Sequence, residues 1–256
     1  MVPTLGRRPE FLSACLNSIL NQDVEVDIVI VGPVDNDVVA KAAQRADAAL
    51  IDDPGSLAAA VNIGVAQGVG DHRFINWLGD DDLLTPGSLQ ATVTVLEKDP
   101  TAVVAFGSCA YIDDDGRDLW VSKAGKWAPR ILLWGPDLIP QPGMLVRADA
   151  WQSVGGLDES LAFAFDLDLL LKLKQLGPLV SVDSVVSCFR WHPSSLTVSD
   201  RTRSLNESQE VKRRYLGHTA RRWKWVWEKP IRVATRVAAW RVNRAAQRVS
   251  ASKTNG

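Results

Sequence analysis

The sequence predicts an α/β protein in which a mostly parallel central sheet lies between two layers of helices. Short, continuous apolar runs such as residues 26–32 and 72–78 alternate along the chain with segments whose apolar residues recur at helical spacing. Strands that are apolar on both faces are typical of parallel sheets covered by helices on both sides. The 256 residues, 46% hydrophobic and 23% charged, are sufficient for one such domain with a large core.

Local signals predict each element in chain order. They indicate a helix over residues 8–22, a strand over 26–32, a helix over 35–47, a strand over 48–53, a helix over 56–68, a strand over 72–78, a helix from Pro86 to Pro100 and a strand over 101–113. Residues 116–142, rich in Trp, Gly and Pro, are predicted to form loops near the site. Residues 144–177 predict a strand and two helices, and residues 179–197 a strand that ends in a loop.

Composition limits the class of protein. No run of about 18 apolar residues predicts a membrane-spanning helix, and no signal peptide is expected at the start. Cys15, Cys109 and Cys188 are far apart, each among apolar residues. We therefore expect reduced core cysteines of a cytosolic protein rather than a disulfide or zinc framework.

Three consecutive carboxylates, Asp80, Asp81 and Asp82, follow the apolar run of residues 72–78. Ligands bind at the carboxyl ends of parallel strands, so the cluster lies where a ligand is expected. Two interpretations remain open. Asp82 or Thr85 could cap the helix that follows. Alternatively, the carboxylates hold a divalent cation, Mn²⁺ or Mg²⁺, together with the phosphates of a substrate.

Four segments in this order resemble family 2 glycosyltransferases of the GT-A fold, of the type that builds bacterial cell-surface glycans. The segments are residues 2–22, 55–89, 139–173 and 188–197. The resemblance covers the chain to about Thr197. It implies transfer of a sugar from a nucleotide-diphosphate-sugar to an acceptor hydroxyl, with inversion at the anomeric carbon.

The resemblance also implies roles for individual residues. Asp81 corresponds to the ligand of Mn²⁺ or Mg²⁺ on the donor diphosphate, with Asp82 and His192 as further candidate ligands. Asp166 corresponds to the general base that deprotonates the acceptor. The candidate donor-binding residues are Thr4, Asp35, Asn62, Asp80 and Arg190. From the residues alone, Asp166 and Asp168 are better explained as acids in the first turn of a helix, where they interact with the helix dipole.

This chain departs from the family pattern at several positions. Gly32-Pro33 stands where an acidic pair usually follows the second strand, so either Asp35 replaces it or recognition of the base differs. Gly79 stands at the usual first acid of the aspartate motif, which displaces the cluster by one residue. Only two residues precede Pro3, so we expect either that the true start lies upstream or that the first strand is shortened.

The charge of the chain is unevenly distributed. Residues 201–256 contain 15 basic and 3 acidic residues, whereas residues 1–200 contain 14 basic and 27 acidic ones. We therefore divide the chain into a GT-A domain over 1–200 and a basic, Trp- and Arg-rich helical tail over 201–256. Arginine mixed with tryptophan over 220–249 predicts a helix that binds an anionic membrane surface. A basic helix packed on the acidic body is the alternative, and nucleic acid is not an expected partner.

These observations predict a cytoplasmic inverting glycosyltransferase, peripheral at the inner face of the plasma membrane, that extends a cell-surface glycan or a lipid-linked acceptor. The alternative is a non-catalytic GT-A-like partner subunit that binds nucleotide or glycan. The altered loop at Gly32 and the displaced aspartates motivate that alternative. A metal-dependent phosphohydrolase would need more metal ligands than the sequence provides.

Overall fold

The computed structural model describes residues 1–68, 72–123, 125–191, 201–216 and 233. The first part of the chain forms β1 (Val2–Pro3), α1 (Pro9–Leu20), β2 (Val29–Val31), α2 (Asp37–Arg45), β3 (Ala49–Ile51), α3 (Leu57–Gly68), β4 (Phe74–Ile75), β5 (Leu83–Leu84) and α4 (Ser88–Lys98). The second part forms β6 (Val104–Ile112), β7 (Asp118–Ser122), α5 (Ala128–Ile131), β8 (Leu145–Arg147), α6 (Ala148–Val154), α7 (Phe165–Leu176), β9 (Leu179–Arg190) and α8 (Arg201–Tyr215).

The first three strands form a parallel sheet in the order β1-β2-β3. Crossover helices α1 and α2 connect them, as parallel neighbours require. This part of the sheet confirms the predicted parallel arrangement, and β1 is short, with two residues.

The second sheet has the order β4-β8-β6-β9-β5, with β7 paired to β6. Only β6 and β9 pair in parallel within it. The chain reverses between β6 and β7 through a tight turn, where Asp113 N–H donates to the Arg117 carbonyl at 3.0 Å. A short turn can join only antiparallel strands, so this sheet is mixed, which apolar runs alone could not indicate.

Helices cover both faces of the sheets. Side chains from α1, α2 and α4 share one apolar cluster, and side chains from α3, α6 and α7 share another. On β6, Val104 and Phe106 belong to the second cluster and Ala105 to the first. The alternation places the strand between two helical layers, which agrees with the predicted three-layer architecture.

Helix α8 begins the predicted basic tail but packs on the body. Val211 is fully buried in the cluster of α7, and Gln209 and Lys212 are also buried. The division at residue 200 stays a prediction, with α8 attached to the first part. The proposed membrane segment 220–249 lies outside the described residues, apart from position 233. Among the helices that the structure describes, none has the length and apolarity to cross a bilayer.

Candidate active site

The carboxyl ends of the parallel strands lie in a row along one edge of the first sheet. Thr4 N–H donates to the Val31 carbonyl, and Gly32 N–H donates to the Ile51 carbonyl, both at 2.9 Å. Asp52, just past β3, accepts from Val34 N–H at 3.3 Å. Sequence reasoning did not single out Asp52, although the strand-end rule applied to residues 48–53 would have found it.

The aspartate turn, residues 79–82, lies at the same edge. The chain before it runs beside β1, where Leu78 N–H donates to the Met1 carbonyl at 3.1 Å, and Asp82 N–H closes the turn on the Gly79 carbonyl at 3.1 Å. The buried hydroxyl of Thr4 donates to a carboxylate oxygen of Asp80 and accepts from Gly6 N–H at 3.0 Å. Thr4 therefore joins the first strand to the aspartate cluster.

Arg8 is the positive partner of Asp81. Its guanidinium lies 3.3 Å from Asp81 Oδ2, and both side chains remain partly exposed, at 35% and 23%. The sequence analysis missed Arg8, since the segment before α1 shows no periodic pattern. The ion pair leaves Asp81 at the surface of the site, where a phosphate-bound cation can reach it.

Asp82 faces the interior instead. It is 4% exposed, and Oδ1 accepts from Arg190 N–H at 3.0 Å. The Arg190 guanidinium, equally buried, donates to the carbonyls of Asp81 (3.1 Å), Asp113 (2.9 Å) and Asp114 (3.0 Å) and stacks over Phe11 at 4.2 Å. Arg190 therefore stabilises the aspartate turn from its buried side. Its predicted contact with the donor stays a prediction.

Burial raises the pKa of two of these carboxylates. Desolvation raises the pKa of Asp80, opposed by the hydrogen bond from Thr4. Desolvation and then the charge of Asp81 raise the pKa of Asp82 well above its ordinary value. Burial therefore disfavours the ionised forms of Asp80 and Asp82. A divalent cation would favour those ionised forms.

The donor set suits Mn²⁺ or Mg²⁺, which bind oxygen and commonly use one or two protein carboxylates with substrate phosphates. Within the described ranges, no group of three or more His, Cys, Asp or Glu side chains converges as a complete shell. Asp80 and Asp81 are the partly exposed carboxylates of the turn, whereas Asp82 is buried. His192, the other predicted ligand, lies outside the described residues.

Gly79 lies directly beneath two carboxylates of the aspartate turn. A Cβ at residue 79 would lie 3.1 Å from both Asp81 Oδ1 and Asp82 Oδ2. A side chain there would crowd the two carboxylates that fold back over it. The glycine is therefore part of the geometry of this turn.

Two predicted donor-binding residues lie in other surroundings. The Asn62 side chain donates to the Leu157 carbonyl (3.0 Å) and to Glu159 Oε1 (2.8 Å) and accepts from Leu157 N–H (2.9 Å), which ties α3 to the loop before α7. Asp35 is exposed in the loop after β2, next to Asn36, which caps α2. Their contacts with a donor stay predictions.

Asp166 lies in the first turn of α7 and is half-buried. Burial raises its pKa to about 6, and the charge of Glu207 adds to the shift, whereas the Leu167 N–H, at 2.7 Å, opposes it. Partial desolvation and the charge of Asp166 raise the pKa of Asp137, although the residue is exposed at the surface. Asp137, in the loop before β8, was not predicted as a site residue.

The segment that carries Asp137 is joined to the strand before the aspartate turn. Gln141 Nε2 donates to the Trp77 carbonyl at 2.6 Å, and Asn76 Nδ2 donates to the Met144 carbonyl at 2.8 Å. Asp137 and the aspartate turn thus lie on two segments that run side by side.

Comparison with known proteins identifies the family. Residues 1–147, more than half of the chain, match the family model described as Glycosyl transferase family 2. The chain belongs to this family. An uncharacterized glycosyltransferase of Rickettsia conorii is 25% identical over 195 residues, 71% of this chain and 32% of that protein. The O-antigen biosynthesis protein RfbC of Myxococcus xanthus is 29% identical over 190 residues, 68% of this chain and 14% of that protein.

Solved structures show the same fold. The mannosyltransferase of Pyrobaculum calidifontis, in complex with GDP-Man and Mn²⁺, aligns over 100% of this chain and 74% of its own, with a TM-score of 0.63 and 17% identity. Residues 1–349 of S. aureus TarS, in complex with UDP, align over 82% of this chain and 64% of that one, with a TM-score of 0.59 and 15% identity. The predicted GT-A fold is confirmed. The chain spans about a quarter to a third of the Rickettsia felis and Rickettsia conorii relatives it matches.

Proposed function

We propose that this family 2 chain transfers a sugar from a nucleotide-diphosphate-sugar to a hydroxyl of a cell-surface glycan or a lipid-linked acceptor, with inversion. One observation carries the proposal: Thr4, Asp52 and the aspartate turn share one sheet edge. Asp166, whose pKa is raised, lies in the first turn of α7. The first group suits an anionic donor with its cation, and the second suits a proton acceptor.

The donor side would hold the diphosphate through charge. Asp81 and Asp80 would bind Mn²⁺ or Mg²⁺, with Asp82 and His192 as further candidates, and the ion would stabilise the negative charge that develops on the leaving diphosphate. Thr4 and Arg190 hold the aspartate turn in place before the donor binds, which limits the reorganisation needed in the transition state.

The acceptor side would supply the base. Attack by a hydroxyl requires removal of its proton, and a carboxylate within hydrogen-bond reach can accept it. With a pKa of about 6, Asp166 is ionised at neutral pH yet more basic than an ordinary aspartate. A single displacement with one base inverts the anomeric carbon and needs no carboxylate nucleophile.

A screen of UDP-, dTDP- and GDP-sugars in Mn²⁺ tests the donor side, with the melting temperature as the readout. A donor at 100 times its Kd stabilises the fold by about 2.7 kcal/mol. Asp81→Asn should abolish the Mn²⁺-dependent stabilisation, and Asp183→Asn, an exposed acid on β9, should retain it. If wild type binds a donor but does not hydrolyse it in Mn²⁺, the result favours the alternative, a non-catalytic partner subunit.

Residues 220–249 would place the enzyme at the cytoplasmic face of the plasma membrane. The proposal rests on the mixture of Arg, Lys and Trp in that segment, which suits the interface of an anionic bilayer. A lipid-linked acceptor would then be presented to the acceptor side from the membrane surface.

A further inference from the structure

The loop before α7, residues 157–164, is held by a carboxylate from helix α8. Glu207 accepts from three successive main-chain N–H groups, those of Ala162 (3.0 Å), Phe163 (2.5 Å) and Ala164 (2.7 Å). Hydrogen bonds from N–H groups to an ionised carboxylate are among the stronger ones in proteins. One side chain of α8 therefore fixes three consecutive peptide groups that lie 43 to 45 residues away in the chain.

Ala164 is the N-cap of α7. At this position Ser, Thr, Asp or Asn usually accepts a hydrogen bond from the start of the helix, which the methyl group of alanine cannot do. Glu207 instead brings a negative charge to this end of α7, where the helix dipole favours it. Asp166 follows the N-cap by two residues. The proposed base thus lies on the turn whose beginning Glu207 fixes.

Two further contacts join α8 to the same region. Arg214 Nη1 donates to Asp158 Oδ2 at 2.8 Å. The Tyr215 hydroxyl donates to Asp168 Oδ1, also at 2.8 Å. Spacings of seven and eight residues place Arg214 and Tyr215 on the same face of α8 as Glu207. One face of α8 therefore contacts the chain both before and after the start of α7.

We propose that Glu207 is a positioning residue for the acceptor side: it holds the start of α7 so that the carboxylate of Asp166 lies within reach of the acceptor hydroxyl. The inference rests on the proposed function, in which Asp166 is the base. Proton transfer requires the two heavy atoms to lie about 2.6–3.2 Å apart. A displacement of about 1 Å can slow a reaction about a hundredfold. Glu207 acts through Asp166 and not on the reacting atoms.

The first test is Glu207→Ala, with Glu210→Ala at an exposed position of the same helix as its control. The readouts are the donor Kd and the rate of Mn²⁺-dependent hydrolysis of the UDP-, dTDP- or GDP-sugar that most stabilises wild type. Glu207→Ala should reduce kcat about a hundredfold and change the donor Kd by less than about twofold, because the aspartate turn lies on other elements. Glu210→Ala should change neither quantity.

Glu207→Gln should have an intermediate effect, with kcat about tenfold lower. The glutamine oxygen can still accept from Phe163 and Ala164, which share one carboxylate oxygen in wild type. Its amide group then faces the N–H of Ala162, and neither of those groups can accept. If kcat stays unchanged in both variants, or if kcat and donor affinity fall together with the melting temperature, the proposal is overturned.

A double variant tests whether Glu207 acts through Asp166. Residues that act as one unit have non-additive effects on turnover. Asp166→Asn combined with Glu207→Ala should therefore hydrolyse the donor no more slowly than Asp166→Asn alone. A further loss of about tenfold or more in the double variant would show that Glu207 contributes independently of the base, and the proposal would be wrong.

Hydrogen exchange tests the same contact without turnover. In Glu207→Ala the main-chain N–H groups of Ala164 and Asp168 should exchange at least about tenfold faster, because the start of α7 opens locally. The Asp168 N–H donates to the Ala164 carbonyl at 3.0 Å in the first turn of α7. Unaltered exchange at Asp168 would refute the positioning role. Absence of donor turnover in wild type would contradict the proposed function instead, and the exchange rates would still decide whether Glu207 holds this turn.

Discussion

The main-chain N–H of Arg190 donates to the carboxylate of Asp82 at 3.0 Å across a separation of 108 residues. The contact joins the end of β9 to the turn that carries the proposed metal ligands. It also means that the buried member of the aspartate cluster has a partner in the fold itself, before any cation is considered.

Asp82→Asn and Asp82→Ala should distinguish the contribution of this hydrogen bond to stability from that of the carboxylate charge. Asparagine keeps an oxygen that accepts from Arg190 N–H and removes a carboxylate whose pKa is raised by burial. We therefore expect the free energy of unfolding to fall by less than about 1 kcal/mol. Alanine leaves the buried N–H without its acceptor, which costs about 1–3 kcal/mol. Urea unfolding measures both, and equal losses in the two variants would contradict the explanation.

Arg190→Lys should destabilise the fold by about 3 kcal/mol. Lysine presents a single ammonium and cannot reach the carbonyls of Asp81, Asp113 and Asp114 together, so at least two charge-assisted bonds of about 1.5–3 kcal/mol are lost. Arg117→Lys, an exposed change in the neighbouring turn, is the control. If urea unfolding shows that the free energy of unfolding falls by less than about 1 kcal/mol, the guanidinium does not stabilise the turn.

Thr4→Val should weaken donor binding more than it lowers the stability of the fold. The hydroxyl orients Asp80 and accepts from Gly6 N–H, and valine keeps the shape while it removes both contacts. We expect about tenfold weaker binding of the donor that gives the largest thermal shift, corresponding to about 1.4 kcal/mol. Thr94→Val, at a half-buried position of α4, should leave donor binding unchanged. Calorimetry measures the donor affinity of both variants.

Donor turnover should fall as pH drops through about 6. Asp166 must be ionised to accept a proton, and its raised pKa of about 6 places protonation just below neutrality. Asp166→Asn should reduce turnover at least a hundredfold at pH 7.5 while donor binding persists. A profile flat between pH 5 and 7 would exclude Asp166 as the base.

Deletion of residues 220–256 should abolish binding to vesicles that contain anionic lipid, because the Arg, Lys and Trp residues of that segment are removed. Sedimentation with vesicles of neutral lipid and of neutral plus anionic lipid measures the effect. The deletion leaves α8 in place, so donor binding should persist. Equal sedimentation of the full and shortened chains would exclude the segment as the anchor.

The sequence predicted the features that depend on local pattern. The aspartates follow an apolar run and Asp166 begins a helix, so their neighbourhoods could be inferred from periodicity and the strand-end rule, whereas Thr4 was placed only by the family resemblance. The surroundings of Arg190 and Asn62 could not, because their partners lie about 100 residues away in the chain. Nothing local distinguishes a buried arginine from one that faces a ligand.

Asp137 and the buried face of α8 were missed for different reasons. Asp137 lies in a segment without periodicity, so no pattern assigned it a face or a neighbour. In α8 the many basic residues concealed a buried stripe that includes Gln209, Val211 and Lys212. Net charge describes the exposed surface of such a helix and not the face that packs.

Gly32 has a consequence for changing the nucleotide specificity of this protein. A Cβ at this position would overlap the Thr4 carbonyl and lie 3.1 Å from its methyl group. An acid introduced here by a single substitution would force β1 and β2 apart beside the proposed donor site. In that site, base preference is therefore more readily engineered in the flanking loops, at Asp35 or Asp52, than by an acid at position 32.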